Sequence, residues 1–225
     1  MNPKAPKILN DIVSALQTAG LTAVTEGKDG RHKSSKDEEN VIAWLQEQAQ
    51  FKDHIEDTTS RKFGDMIVKD EVGVEHYVNI KTSIGRNDNA FSKLGFLWAF
   101  TNLSIADFEE RKISNKIKNE NWTKTILEYK ADVDRDYWFL FLNKLDFSNV
   151  VVRGVKQINY WIPNPTNNLQ VVWGKEIKVP PKDVSFEQAW EDVIVKGVFY
   201  AWEKDVEGKT LGLDYRRNYL DNLNK

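Results

Sequence analysis

Two short apolar runs joined by a tight polar turn, between Phe63 and Ser83 (FGDMIVKDEVGVEHYVNIKTS), restrict the fold more than any other part of the chain. Asp65 opens the first run, Gly73 centres the turn, and the returning run carries Asn79, Ile80 and Lys81. Successive side chains of a strand alternate faces, so Tyr77, Asn79 and Lys81 share one side while Val78 and Ile80 point into packing. An acid and a lysine then meet on neighbouring strands. That pairing suits phosphodiester hydrolysis. A hard divalent cation takes oxygen ligands, which Asp65 and the Ile80 carbonyl can supply. A lysine ammonium beside it can orient or deprotonate the attacking water, or stabilise the charge that develops on phosphate.

On these residues the chain resembles the PD-(D/E)xK nuclease superfamily and, within it, the type II restriction endonucleases. Gly64-Asp65 stands where the family has Pro-Asp, and Asn79-Ile80-Lys81 stands where it has Asp/Glu-x-Lys, with a hairpin's length between them. The resemblance implies an α/β fold with a mixed central β-sheet flanked by helices, a restriction-endonuclease-like core. It also implies Mg2+-dependent, sequence-specific cleavage of double-stranded DNA. In that reading Asp65, Asn79 and the Ile80 carbonyl are the metal ligands and Lys81 serves catalysis. Asn79 departs from the pattern: an amide oxygen binds a cation without adding negative charge, so Mg2+ should be held more weakly or lean on another carboxylate. Family members often bring a further glutamate from a helix just before the first catalytic strand. Glu38 matches that position, and it also matches an ordinary first-turn acid favoured by the helix dipole.

A chain of 225 residues, 40% hydrophobic and 12% aromatic, can bury a substantial core as one domain. A single nuclease domain with a C-terminal helical extension from about residue 185 to 225 is expected. With no cysteine there is no disulfide, thiolate metal site or nucleophilic Cys, and three histidines (His32, His54, His76) do not suggest a His-rich metal centre. No apolar run approaches the roughly 18 residues of a membrane span, and MNPKAPKIL lacks a signal peptide's apolar core, so a cytoplasmic protein with no membrane partner is expected. No Gly-rich phosphate loop appears, so no nucleotide cofactor is expected. A formal charge of −2 argues against a basic DNA-coating protein, though not against an enzyme that gathers Lys and Arg in one cleft.

Helical spacing of Ile8, Leu9, Ile12, Val13 and Leu16, closed by Gly20, marks a packing helix. The polar stretch 25–36 reads as a loop, followed by a helix from near Lys36 that buries Val41, Ile42, Trp44 and Leu45. A loop leaves the Lys81 strand, where DNA must lie if Lys81 is catalytic. Thr82, Ser83, Arg86, Asn87 and Asn89 are therefore expected DNA contacts, with Lys93 in the apolar helix 90–102 that follows. Residues 109–130 read as a mixed-charge helix, and 136–144 (DYWFLFLNK) as a central strand. Residues 150–155 and 169–173 read as further strands, and in the segment NYWIPNPTNNLQVVWGKE Pro163 and Pro165 argue against regular structure, while Asn164, Asn167, Asn168 and Gln170 crowd amides into one loop. Such amides read adenine in the major groove, or satisfy their own backbone in Asx-turns. Ser185 caps a long amphipathic helix through Trp202, and the aromatic, basic tail carrying Arg216 and Arg217 reads as a terminal helix or a DNA-facing arm. A homodimer suits palindromic duplex cleavage. The alternatives are a nuclease fold that binds DNA with weak or no cutting, and a repair or recombination nuclease.

Overall fold

A strand as apolar as Trp138–Asn143 is stable only with both faces covered, and the computed structural model of the chain puts it inside a sheet with helices on either side. The structure describes residues 2, 4–24, 30–57, 63–85, 87–164, 168–203 and 210–224. In chain order the elements are α1 (Lys7–Thr18), α2 (Gly30–Glu47), β1 (Ile55–Asp57), β2 (Met66–Lys69), β3 (Glu75–Ser83), β4 (Asn87–Asn89), α3 (Lys93–Phe100), α4 (Ile105–Glu110), α5 (Asn119–Glu128), β5 (Trp138–Asn143), β6 (Asp146–Gly154), β7 (Trp161–Asn164), β8 (Asn168–Val172), α6 (Trp173–Glu176), α7 (Phe186–Ala189), a π-helical segment (Trp190–Phe199), α8 (Tyr200–Glu203) and α9 (Thr210–Leu223). They form two compact units, each drawn from three separate stretches of chain. Among the described residues no helix is long and apolar enough to cross a membrane.

The first unit takes residues 1–88, 137–154 and 173–181. Its mixed five-stranded sheet has the order β1-β2-β3-β5-β6, with β3 and β5 parallel and the other neighbours antiparallel. This is the expected mixed sheet flanked by helices, with β2 and β3 second and third in order. One face packs on α1 and α2: Ile8, Leu9, Ile12 and Leu16 with Val41, Ile42 and Leu45 meet Met66, Val68, Val78, Ile80, Leu140 and Val152. On the opposite face Trp173 stacks on Phe141 (centroids 4.6 Å apart) and meets Phe139 edge-on. Nearby, buried Arg153 Nε donates to buried Glu176 at 3.2 Å, and its Nη2 donates to the Val179 carbonyl at 2.8 Å. Helix α2 begins at Gly30, earlier than expected, because no Pro or interior Gly between there and Glu47 interrupts it.

The second unit takes residues 89–136, 155–172 and 182–225, so the expected C-terminal extension is one of its three parts. Its core is aromatic: Phe91, Phe96, Trp122, Phe199 and Trp202 meet mostly edge to face. The apolar helix is shorter than expected, Lys93–Phe100, with the Ser92 side chain accepting the Gly95 N–H at its start. Residues 109–130 are not one helix. Helix α4 ends where Lys112 turns left-handed (φ 53°) and Ile113 N–H reaches back to the Phe108 carbonyl, and α5 starts only at Asn119. Pro163 sits inside a strand, because β7 is the outer strand of the three-stranded order β4-β8-β7 and an edge tolerates a missing N–H. The long helix expected after Ser185 is present over 186–203, but its middle ten residues are π-helical.

Candidate active site

Gly64 and Asp65 stand where the chain enters β2. A Cβ on Gly64 would lie 2.6 Å from the Val78 carbonyl oxygen, so only glycine allows this approach to β3. The closeness lets Asp65 N–H donate to the Val78 carbonyl at 2.9 Å. The Asp65 carboxylate turns the other way along β3, and its Oδ2 accepts the Ile80 N–H at 2.7 Å. Beyond Met66 the β2 ladder has ended, so a side chain takes a donor that a strand carbonyl would otherwise serve. The N–H and C=O of one strand residue point to the same side, which turns the Ile80 carbonyl toward Asp65 as well.

Strand alternation sets the remaining groups. Met66 pairs with Val78, both in the core, and Asp65, a bend residue just before that strand, reaches β3 through its carboxylate. Burial along β3 alternates: Val78, Ile80 and Thr82 are buried, whereas Asn79, Lys81 and Ser83 are half-buried. Asn79 and Lys81 are two residues apart on one face, about 6.6 Å along the strand. Their parallel neighbours on β5 are Phe139 and Phe141, the two rings that Trp173 covers, so an apolar wall stands beside the lysine.

Asn79 Oδ1 is buried and has no hydrogen-bond partner. A buried acceptor left so costs on the order of 1–3 kcal/mol, which a bound cation would recover. Asp65, this oxygen and the Ile80 carbonyl are hard oxygen donors, the type Mg2+ selects, and a site with one carboxylate is ordinary for an ion that keeps several waters. The residues therefore fit the cation that the motif implies. Among the described residues, no group of three or more His, Cys, Asp or Glu side chains is placed to hold a metal.

Other expected positions divide. Helix α2 packs on the Val78, Ile80 and Thr82 face of β3, opposite Asn79 and Lys81, and carries half-buried Glu38. The residue that reaches β3 from α2 is Asp37. Fully buried, it accepts Lys144 Nζ at 2.8 Å, the Val24 N–H at 2.7 Å and the Thr82 hydroxyl at 3.4 Å. Thr82, one of the expected DNA contacts, is buried and tied to Asp37. Nothing local in the sequence signals the distant lysine that Asp37 meets. Lys93 Nζ donates to the Ile117 carbonyl, which commits it to packing. Ser83 is half-buried at the end of β3. Asn89 Oδ1 accepts Gln170 Nε2 at 3.2 Å, which joins two of the expected amides. Asn164 and Asn168 pair across the β7–β8 hairpin. Arg86, Asn167 and the Asn87 side chain lie outside the described residues. Arg216 donates to Glu203 at 2.9 Å and lies over the Tyr200 ring, as part of helix α9.

No protein-family model matches this chain, and no curated protein matches it.

Proposed function

We propose that this chain is a Mg2+-dependent, sequence-specific endonuclease that cleaves double-stranded DNA as a homodimer, in the manner of type II restriction endonucleases. What supports this reading is the β2–β3 junction: a carboxylate accepting the Ile80 N–H, an unpartnered amide oxygen on Asn79, and a lysine two residues on along the same strand face as that amide. Mg2+ held by Asp65, Asn79 Oδ1 and the Ile80 carbonyl would supply charge neutralisation and a polarised water. The Ile80 N–H fixes the Asp65 carboxylate. The Lys81 ammonium orients the attacking water and donates to the phosphate oxygen on which charge develops. The water oxygen bonds to phosphorus and gives up a proton to solvent, one P–O ester bond breaks, and the leaving oxygen takes a proton from solvent. The apolar wall of Phe141 and Trp173 strengthens these interactions by excluding solvent.

Digestion of a phage genome tests the class. Discrete fragments in Mg2+ that vanish with EDTA support it. Cutting only at branches or damage points instead to a repair or recombination nuclease, and intact DNA under all conditions contradicts cleavage.

Asn79 favours a second reading, a nuclease fold that binds DNA without cutting it. Replacing Asn79→Asp adds a full negative charge beside Asp65, so isothermal titration should show Mg2+ binding tightened at least about tenfold, ~1.4 kcal/mol. A rise in cleavage with it supports an intact site. A variant inert in both respects supports the non-cutting reading.

A further inference from the structure

We propose that Gln170, oriented by Asn89, reads the adenine of one A·T pair in the major groove, with Ile162 against the thymine methyl group; this rests on the DNA-binding part of the reading above and adds the base that is read. Leu169 and Val171 are fully buried, so the alternation of β8 turns Gln170 to the outer face of its sheet. One N–H of Gln170 Nε2 donates to Asn89 Oδ1 at 3.2 Å, in an exposed setting. The second N–H and Oε1 remain, a donor and an acceptor side by side, and adenine offers the complement in N7 and the N6 amino group. Across the hairpin Gln170 pairs with Ile162, and such partners lie on one face with Cβ atoms about 5 Å apart. Ile162 is 38% exposed, an apolar side chain with no core to enter. Beside an adenine edge the major groove presents the thymine C5-methyl, which is apolar. Asn89 is a positioning residue and Gln170 the reading one.

The test separates recognition from cutting. Full-length Lys81→Ala protein, in Mg2+, selects duplexes from a random-sequence pool, and the enriched site is remade with single-atom changes. The expected result is an A·T pair at which 7-deazaadenine (no N7) or purine (no N6 amino group) weakens binding roughly 5- to 150-fold, and uracil for thymine weakens it less. Adding Gln170→Ala removes that discrimination while affinity for random DNA changes less than about twofold. Asn89→Ala reduces the adenine to 7-deazaadenine ratio, with an unchanged melting temperature. An enriched site with no sensitive A·T pair, discrimination that survives Gln170→Ala, or no enrichment at all overturns the proposal. Failure of the phage digestion alone removes cleavage and leaves this readout standing.

Discussion

At the scale of single residues, the junction depends on one missing methyl group. With a Cβ at Gly64 placed 2.6 Å from a main-chain oxygen, either β3 or the Asp65 segment must move. Gly64→Ala should therefore destabilise the protein by about 1–3 kcal/mol, read by urea denaturation, and should lower cleavage further by pulling Asp65 off the Ile80 N–H. The shared face of Asn79 and Lys81 is legible in the sequence, because residues two apart on one strand point the same way. The need for glycine at residue 64 is not, since it arises from the approach of a strand fourteen residues away. The burial of Asp37 and Thr82 is equally invisible, as it depends on Lys144 arriving from the β5–β6 turn.

At the scale of elements, Asp70 closes the β2–β3 hairpin that sets the register. Its carboxylate accepts the N–H groups of Val72 and Val74 at 3.0 and 2.8 Å and contacts His76 Nε2 at 3.2 Å. Burial pushes its pKa up, but the Val74 N–H, His76 and the Val72 N–H outweigh burial and hold it below the usual carboxylate value. A depressed folded-state pKa contributes stability above the unfolded-state pKa and loses it as pH falls through the folded value. Urea unfolding of the wild type should thus weaken in that acid range, and Asp70→Asn should flatten that part of the profile. Equal acid slopes in both proteins would contradict this role. Elements with a strong period, such as α1 and β5, were readable in advance. The break between α4 and α5 was not, because its stop is Lys112 in a left-handed conformation and not the glycine that usually marks one. Strand β7 hid behind Pro163, whose missing N–H costs nothing at an edge.

At the scale of the whole molecule, the chain makes two units from interleaved segments, each with its own core: aliphatic between sheet and helices in the first, aromatic in the second. Composition cannot reveal such interleaving, which is why one domain with a tail is the simpler reading of the sequence. Two equivalent cuts in a palindrome require two equivalent sites, so sedimentation equilibrium should give twice the chain mass; a monomer at all concentrations, with both strands still cut together, would contradict the symmetric arrangement. The most direct test of the account is the single-turnover cleavage rate of a recognised duplex in Mg2+ for wild type, Asp65→Ala and Lys81→Ala, with binding measured in parallel. The account predicts that each variant loses at least about 10²-fold in rate, with Lys81→Ala still binding its site. A Lys81→Ala protein that cuts at the wild-type rate would contradict it.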